Sequence, residues 1–230
     1  MHIRAVLFDL DNTLFDHSGS AHTALYAFAH NLGIILSDKL AQQWFDIEQA
    51  CYDRFLNGGF SFQDQRRERL RRFFTCAGLP CPGTAVELDR IFATYLRKYE
   101  AAWTAFPDAA PALRQLHARG MTVGVITNGN HEQQQLKVHK TGLEPLLDAV
   151  FTSGQMGHAK PTRDAFLVPC KSLGLPPGQV LYVGDNYKVD VEGAQAAGLH
   201  AVHLDRKSPC RPASLSSLRQ LMAHLSEVAR

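Results

Sequence analysis

Two patterns of apolar and polar positions divide the chain. Residues 3–8 form a short, nearly continuous apolar run, which is typical of a strand buried in a parallel sheet. From about Ser18 to Ala101 the strand patterns disappear, and helical periods separated by glycine and proline breaks take over. These periods predict four helices, at Ala21–Leu32, Ser37–Leu56, Ser61–Ala77 and Thr84–Glu100. This segment is therefore predicted to fold as a helical bundle.

After Pro107, strand and helix patterns alternate to the end of the chain. The predicted strands are Met121–Thr127, Ala149–Thr152, Gln179–Gly184 and Ala201–Leu204. The predicted helices are Asp108–Arg119, His131–Lys140, Thr162–Leu173, Val189–Ala197 and Ser214–Val228. This order predicts an α/β core with a parallel sheet, built from residues 1–16 and 104–230. Residues 17–103 would form an all-helical insert after the first strand, at the edge where parallel sheets bind ligands.

Composition and charge narrow the class of protein. The formal net charge is +2, with 24 basic and 22 acidic residues, so nothing favours a nucleic-acid or membrane-surface partner. The N-terminal apolar run is interrupted by acids from Asp9 onward, which argues against a signal peptide or a membrane anchor. An odd number of cysteines without a CxxC pair predicts reduced thiols in a cytoplasmic protein; they are Cys51, Cys76, Cys81, Cys170 and Cys210.

The first candidate for chemistry is the acid pair that follows the first strand. Asp9 ends the strand, and Asp11 lies two residues further in the turn DLDNT. A carboxylate in this position can attack phosphorus, and a second acid can protonate the leaving oxygen and later deprotonate water. The pair also offers oxygen ligands to a hard cation. By itself the pattern is equally consistent with an aspartate-rich turn.

Three later segments supply further groups at strand ends or helix starts. Thr127 and Asn128 follow an apolar strand and can bind phosphate oxygens, although Asn-Gly is also a frequent turn. Lys160 precedes Pro161 and can balance the charge of phosphate and acids, although most lysines are simply solvated. Asp185 ends a strand and Asp190 opens a helix, where acids can bind Mg²⁺ directly or through water. Jointly these segments provide every part that phosphoryl transfer needs.

The four motifs FDLDNTL, VITNGN, Lys160-Pro161 and GDNYKVD resemble those of the haloacid dehalogenase superfamily, across essentially the whole chain. The resemblance is to the branch with a helical cap after strand 1, and most of all to its nucleotidases and acylneuraminate phosphatases. It implies a Rossmannoid core of five parallel strands, with Asp9 and Asp185 on adjacent strands.

The resemblance also implies roles for individual residues. Asp9 would be the nucleophile and a magnesium ligand, and Asp11 the general acid/base, with its carbonyl oxygen also reaching the metal. Thr127 and Asn128 would hold the phosphoryl group. Lys160 would neutralise the nucleophile and the phosphate. Asp185 would bind Mg²⁺, and Asp190 would lie in its first or second coordination shell.

Asp11 separates the reactions found in this superfamily. The dehalogenases resemble the same pattern but lack an acid two residues after the nucleophile. Cleavage of a phosphate ester benefits from an acid at the leaving oxygen, whereas carbon–halogen cleavage has no such need. The expected function is therefore magnesium-dependent hydrolysis of a small-molecule phosphate monoester, a nucleotide or sugar phosphate, through an aspartyl-phosphate. A 2-haloacid dehalogenase and a phospho-accepting protein without turnover are the alternatives, and the oligomeric state stays open.

One arginine of the insert stands out as a candidate substrate contact. Arg66 falls in the middle of an apolar stripe on its predicted helix, where an unpaired guanidinium is costly to bury. It is expected either to face the cleft between cap and core and contact the substrate, or to form a buried bridge to an acid such as Asp46 or Asp53.

Overall fold

The computed structural model describes residues 2–207 and 214–228, and at residues 56, 227 and 228 the backbone alone. The chain divides into two compact units. The sheet unit consists of Met1–His17 and Trp103–Arg230, and the helical unit of Ser18–Ala102. Each unit has its own core and is described separately.

The sheet unit is built on a parallel sheet with the strand order β3-β2-β1-β4-β5. Its strands are β1 (Ala5–Phe8), β2 (Thr122–Thr127), β3 (Ala149–Thr152), β4 (Val180–Gly184) and β5 (His200–His203). The helices between them are α5 (Ala109–Ala118), α6 (His131–Lys140), α7 (Ser153–Met156), α8 (Arg163–Ser172), α9 (Gly193–Ala196) and α10 (Leu221–Val228). This confirms the predicted α/β class and the adjacency of the strands that lead to Asp9 and Asp185.

Strand register brings the predicted site residues to one edge of the sheet. Phe8 pairs with Val125 on one side and with Val183 on the other. All four residues of β1 are completely buried, which explains why the strand is apolar on both faces rather than alternating. The residues just beyond these pairs, on neighbouring strands, therefore emerge together.

The helical unit contains α1 (His17–Asn31, whose first residue belongs to the sheet unit), α2 (Asp38–Leu56), α3 (Phe62–Cys76) and α4 (Ala85–Ala101). Its core is aromatic: the Trp44 ring lies 4.9 Å from Phe73 and 4.8 Å from Tyr95, measured between ring centroids. Thr84 caps α4 in a reciprocal capping box with Glu87.

Three predicted helix boundaries differ from the structure by two residues or more. The first helix begins at His17, not at Ala21, because the turn after β1 leads directly into it. The last one begins at Leu218 with a 3₁₀ turn, not at Ser214, because the Leu215 N–H donates to His203 O and Leu215 bridges Leu204 beside β5. The helix predicted from Val189 begins earlier, at Tyr187, as a π-helical turn that Asn186 caps.

A buried ion pair ties the segment after β5 to the start of α5. Arg206 donates from two nitrogens to Asp108, at 2.9 and 3.0 Å, and also to the carbonyl oxygen of Thr13 at 2.8 Å. Asp108 accepts further hydrogen bonds from the Ser217 hydroxyl and the Leu218 N–H. Burial would raise the pKa of Asp108, but these donors and the Arg206 charge hold it below its usual range.

The four described cysteines, Cys51, Cys76, Cys81 and Cys170, are free thiols, and Cys210 lies outside the described residues. No helix in the described part of the chain is long and apolar enough to cross a bilayer.

Candidate active site

Asp9 lies directly after β1, and its carboxylate is held by a buried lysine. The Asp9 N–H donates to Val183 O at 2.9 Å, which continues the pairing with β4. The Lys160 Nζ atom lies 2.6 Å from Asp9 Oδ1, 2.7 Å from Asp190 Oδ1 and 2.8 Å from the Tyr182 hydroxyl. Three oxygens therefore accept the three protons of one ammonium group.

Burial and the neighbouring carboxylates have opposite effects on the pKa of Lys160. Burial alone would lower the pKa of Lys160, but Asp190 and Asp9 outweigh it, so the pKa lies well above its ordinary value. Burial raises the pKa of Asp9 well above its usual range, and Asp190 and Asp185 add to the increase while Lys160 opposes it. The ammonium therefore stays charged, and the raised pKa of Asp9 means that further positive charge nearby would favour its ionised form.

Asp185 and Asp190 complete a group of acids at the end of β4. Carboxylate oxygens of Asp9, Asp185 and Asp190 lie within 4.8 Å of one another. Gly184 is required for this arrangement, because a Cβ atom at this position would collide with the Asp190 carboxylate. Burial, with the neighbouring charge of Asp190, raises the pKa of Asp185 to about 7.

The donor set of this group fits a hard divalent cation. Carboxylate oxygens are the ligands that Mg²⁺ prefers, and clustered acids with raised pKa values gain from a bound cation. Both oxygens of Asp190 already accept hydrogen bonds, Oδ1 from Lys160 and Oδ2 from the Asn186 N–H at 3.0 Å. Asp9 and Asp185 are therefore the better placed of the three for direct contact with an ion.

The Asp11 carboxylate is bound by two side chains other than Lys160. Lys137 Nζ lies 2.6 Å from Asp11 Oδ1, and Gln134 Nε2 donates to Asp11 Oδ2 at 2.9 Å. His17 Nδ1 lies 3.8 Å from the same Oδ1. Burial by itself raises the pKa of Asp11, but Lys137, His17 and Gln134 together bring it below the usual value. In this structure Asp11 is therefore an ionised carboxylate.

Thr127 and Asn128 lie at the end of β2 but face different partners. The Thr127 hydroxyl accepts a hydrogen bond from Gln134 Nε2 at 2.7 Å and is almost completely buried. The Asn128 side chain binds the main chain of Lys160 twice: its Nδ2 donates to Lys160 O at 2.9 Å, and its Oδ1 accepts from the Lys160 N–H at 2.8 Å. Asn128 thus positions Lys160 through its side chain.

Arg66 lies within the apolar stripe of α3, where its guanidinium stacks on aromatic rings. Its Cζ atom is 4.2 Å from the Phe62 ring centroid and 5.4 Å from that of Phe92. Burial, with the nearby Arg69, lowers the pKa of Arg66 to about 10, and Glu100 is the acid whose charge acts on it.

The predicted bridge from Arg66 to Asp46 or Asp53 is not what the structure has. Those two acids accept hydrogen bonds from Gln42 and Gln49 instead, each at 2.8 Å. The described ion pairs do not include Arg66, and within α3 it is Arg69 that pairs with an acid of α2, Glu48, at 2.9 Å.

The haloacid dehalogenase-like hydrolase family matches residues 3–198. The chain belongs to this family. Its fold agrees with that assignment, because the structure is similar to the HAD-hydrolase YfnB from Bacillus subtilis, which was solved bound to magnesium. That similarity has a TM-score of 0.85 at 21% identity and covers 98% of this chain and 100% of the other.

Named relatives include both phosphatases and a dehalogenase. The ribulose-1,5-bisphosphate 5-phosphatase of Halopiger xanaduensis is 29% identical over 205 residues, covering 87% of this chain and 84% of that protein. The human N-acylneuraminate-9-phosphatase is 25% identical over 233 residues, covering 96% and 89%. The (S)-2-haloacid dehalogenase 1 of a Pseudomonas species is 27% identical over 228 residues, covering 98% and 95%. With Asp11 two residues after Asp9, this chain falls with the phosphatases of the haloacid dehalogenase-like family.

Sequence reasoning missed Gln134, Lys137 and Tyr182, which contact the predicted site residues. Gln134 and Lys137 are three residues apart on α6 and share its buried face with Val138. Two strongly polar residues on the apolar side of a helix were the signal that they meet a polar partner. Tyr182 looked like an ordinary aromatic residue of a buried strand, so nothing in the pattern indicated its contact with Lys160.

The raised pKa of Asp185 generates a stability prediction for the metal-free enzyme. Between roughly pH 4 and pH 7 the folded state binds more protons at Asp185 than the unfolded state, so the free energy of unfolding falls as pH rises. Asp185→Asn removes this penalty. In the presence of EDTA, urea unfolding of the variant and the wild type should agree near pH 4, and at about pH 8 the variant should be more stable by on the order of 1–3 kcal/mol.

Adding millimolar Mg²⁺ provides the control for this comparison. A bound cation stabilises the Asp185 carboxylate and should raise the stability of the wild type at pH 8, with a smaller effect on Asp185→Asn. A stability difference between the two proteins that is independent of pH would contradict the electrostatic description of Asp185.

Proposed function

We propose that this enzyme hydrolyses the phosphate monoester of a small molecule through an aspartyl-phosphate formed on Asp9, and that it depends on Mg²⁺. The observation that carries the proposal is the set of contacts around Lys160, whose ammonium joins Asp9 and Asp190 beside Asp185. An acid with separate partners, Asp11, lies two residues from Asp9. This combination supplies a nucleophile, a charge-neutralising cation and a proton-transfer group.

In the first step an Asp9 oxygen attacks phosphorus while the bond from phosphorus to the leaving oxygen breaks. The electron pair of that bond goes to the leaving oxygen, which takes a proton from Asp11. Asp11, ionised in the free enzyme, takes up this proton from solvent when the negative charge of the phosphate monoester binds beside it. In the second step Asp11 accepts a proton from water as the water oxygen attacks phosphorus, and Asp9 is released as a carboxylate. Lys160 stays protonated throughout and offsets the negative charge on Asp9 and on the transferring group.

A bound Mg²⁺ would add positive charge at the phosphate and at the ionised carboxylates. We propose Asp9 and Asp185 as direct ligands, together with the main-chain carbonyl oxygen of Asp11. Asp190, whose two oxygens accept hydrogen bonds from Lys160 and Asn186, would contribute as a neighbour of the ion.

The remaining phosphate oxygens would be bound at the end of β2. We propose the Thr127 hydroxyl and the main-chain N–H of Asn128 as donors. The main-chain group is chosen for Asn128 because its side chain already makes two hydrogen bonds to Lys160. In this proposal the side chain of Asn128 holds Lys160, and only its main-chain N–H contacts the substrate.

A phosphorylated sugar is the substrate class that we propose first, and a nucleotide second. Two of the relatives named above, the ribulose-1,5-bisphosphate 5-phosphatase and the N-acylneuraminate-9-phosphatase, act by name on phosphorylated sugars. At 29% and 25% identity, this supports the class of substrate and leaves the individual sugar undefined.

Haloacid dehalogenation is the second candidate, because the 27% identity of the Pseudomonas dehalogenase to this chain lies between the 29% and 25% of the two phosphatases named above. The position of Asp11 argues against it. Here a carboxylate two residues after the nucleophile is held by a lysine and a glutamine, and dehalogenation has no use for it.

A direct test measures phosphate release from a panel of sugar phosphates and nucleoside monophosphates, with chloride release from 2-chloropropionate as a parallel assay. The wild type should release phosphate with Mg²⁺ and lose this activity in EDTA. Asp9→Asn should lower kcat by at least about a thousandfold, because removing a nucleophile removes the covalent route.

Three outcomes of this test would contradict the proposal. Chloride release without phosphate release would indicate the dehalogenase. Stable labelling of Asp9 without release of phosphate would indicate the phospho-accepting protein. Activity that survives in Asp9→Asn would remove Asp9 as the nucleophile.

We also propose that Arg66 contacts the part of the substrate beyond its phosphate. Its guanidinium is stacked on two rings and pairs with none of the described carboxylates at ion-pair distance, so it retains capacity for an anionic or hydroxylated group. A purely structural stacking role for Arg66 is the competing explanation.

Kinetics of Arg66→Ala separate the two explanations. If Arg66 binds substrate, KM for the best panel substrate should rise on the order of tenfold with little change in kcat. Arg71→Ala, an exposed change on the same helix, is the matched control and should leave KM unchanged. A loss of thermal stability with an unchanged KM would show that Arg66 serves the fold alone.

A further inference from the structure

Lys137 has a contact that none of the four motifs accounts for. It lies on α6, it is only 4% exposed, and its Nζ atom is 2.6 Å from Asp11 Oδ1 and 4.9 Å from the centroid of the Phe15 ring. Phe15 is completely buried. Burying an ammonium is costly unless a specific partner holds it, and the Asp11 carboxylate is a partner that stabilises this placement.

Gln134 adds a second point of attachment. Its Nε2 atom donates to Asp11 Oδ2 at 2.9 Å, while Lys137 binds Oδ1. Donors on different oxygens fix the plane of a carboxylate, which a single hydrogen bond leaves free to rotate. The same Nε2 atom lies 2.7 Å from the Thr127 hydroxyl, so α6 connects the acid to the end of β2.

The Lys137 and Asp11 side chains differ in how much of their surface is exposed to solvent. The Asp11 side chain keeps 27% of its surface exposed, whereas the Lys137 side chain keeps 5%. Lys137 therefore holds Asp11 from the protein interior, while part of the Asp11 side chain stays exposed to solvent.

From this geometry we propose that Lys137 is a positioning residue that, together with Gln134, orients the Asp11 carboxylate for proton transfer at the leaving oxygen. The inference rests on the proposed function, in which Asp11 gives its proton to that oxygen as the bond to phosphorus breaks. In this role Lys137 acts through Asp11 and takes no part in the proton transfer itself.

The test uses two substrates that differ almost only in the basicity of the leaving group. Phenolate, with a pKa of about 10, needs a proton on departure far more than the less basic p-nitrophenolate does. The measured quantity is kcat/KM with Mg²⁺, which reports events up to phosphoryl transfer and excludes the later hydrolysis step. In Lys137→Met, kcat/KM should fall roughly 10- to 100-fold for phenyl phosphate and at least about fivefold less for p-nitrophenyl phosphate.

Two further variants and a control make the result specific. Lys137→Arg keeps the cation and should restore the ratio of the two kcat/KM values to within about threefold of the wild type. Lys171→Met, the same change at an exposed lysine of α8, should leave that ratio unchanged. If Lys137→Met does not fold, Gln134→Leu replaces it and should show the same selective loss for phenyl phosphate.

Equal losses on both esters, or no loss on either, with an active wild type would overturn the positioning role and leave the proposed function intact. A wild type that turns over neither ester with Mg²⁺ would overturn the proposed function and this inference with it.

Discussion

One buried ammonium group, that of Lys160, is the interaction on which the site depends. Asp9, Asp185 and Asp190 bring three carboxylates close together at the end of β4 and β1. Like charges at this distance, removed from water, repel one another and favour protonation, as the raised pKa values of Asp9 and Asp185 show. Lys160 donates to two of these acids at once and offsets part of that cost.

The rest of the sheet unit places this ammonium group accurately. The Asn128 side chain donates to the Lys160 carbonyl oxygen and accepts from the Lys160 N–H. The Tyr182 hydroxyl accepts the third proton of the ammonium and donates to Ile126 O at 2.9 Å. Gly184 leaves the space that the Asp190 carboxylate occupies. Residues from three neighbouring strands thus contribute to the position of one charge. Asp11 has an independent partner in Lys137, so the two acids that the proposed chemistry distinguishes have different electrostatic surroundings.

The family resemblance implied that the strands leading to Asp9 and Asp185 are neighbours, and the sequence patterns were sufficient for the α/β class and for the grouping of the main acids at one edge of the sheet. These followed from apolar runs that end in acids, since such runs in a parallel sheet meet at one edge. What sequence patterns did not reveal were contacts made by polar side chains across the fold. The Asn128 side chain holds the main chain of Lys160, a contact 32 residues away in the sequence that no local pattern signals, and its predicted contact with the phosphate stays a prediction. Arg66 was expected either to contact the substrate or to bridge to an acid such as Asp46 or Asp53; the structure lacks that bridge, and its guanidinium stacks on Phe62 and Phe92.

The central role of Lys160 is tested most directly by a double-mutant cycle on the metal-free protein, with Lys160→Met, Asp190→Asn and the two combined. The measurement is the free energy of unfolding of the four proteins in EDTA at neutral pH. If the ammonium holds the acids together, the double variant should be more stable than the sum of the single effects predicts, by at least about 2 kcal/mol. Effects that add to within about 0.5 kcal/mol would show that Lys160 and Asp190 are energetically independent, and would contradict the account.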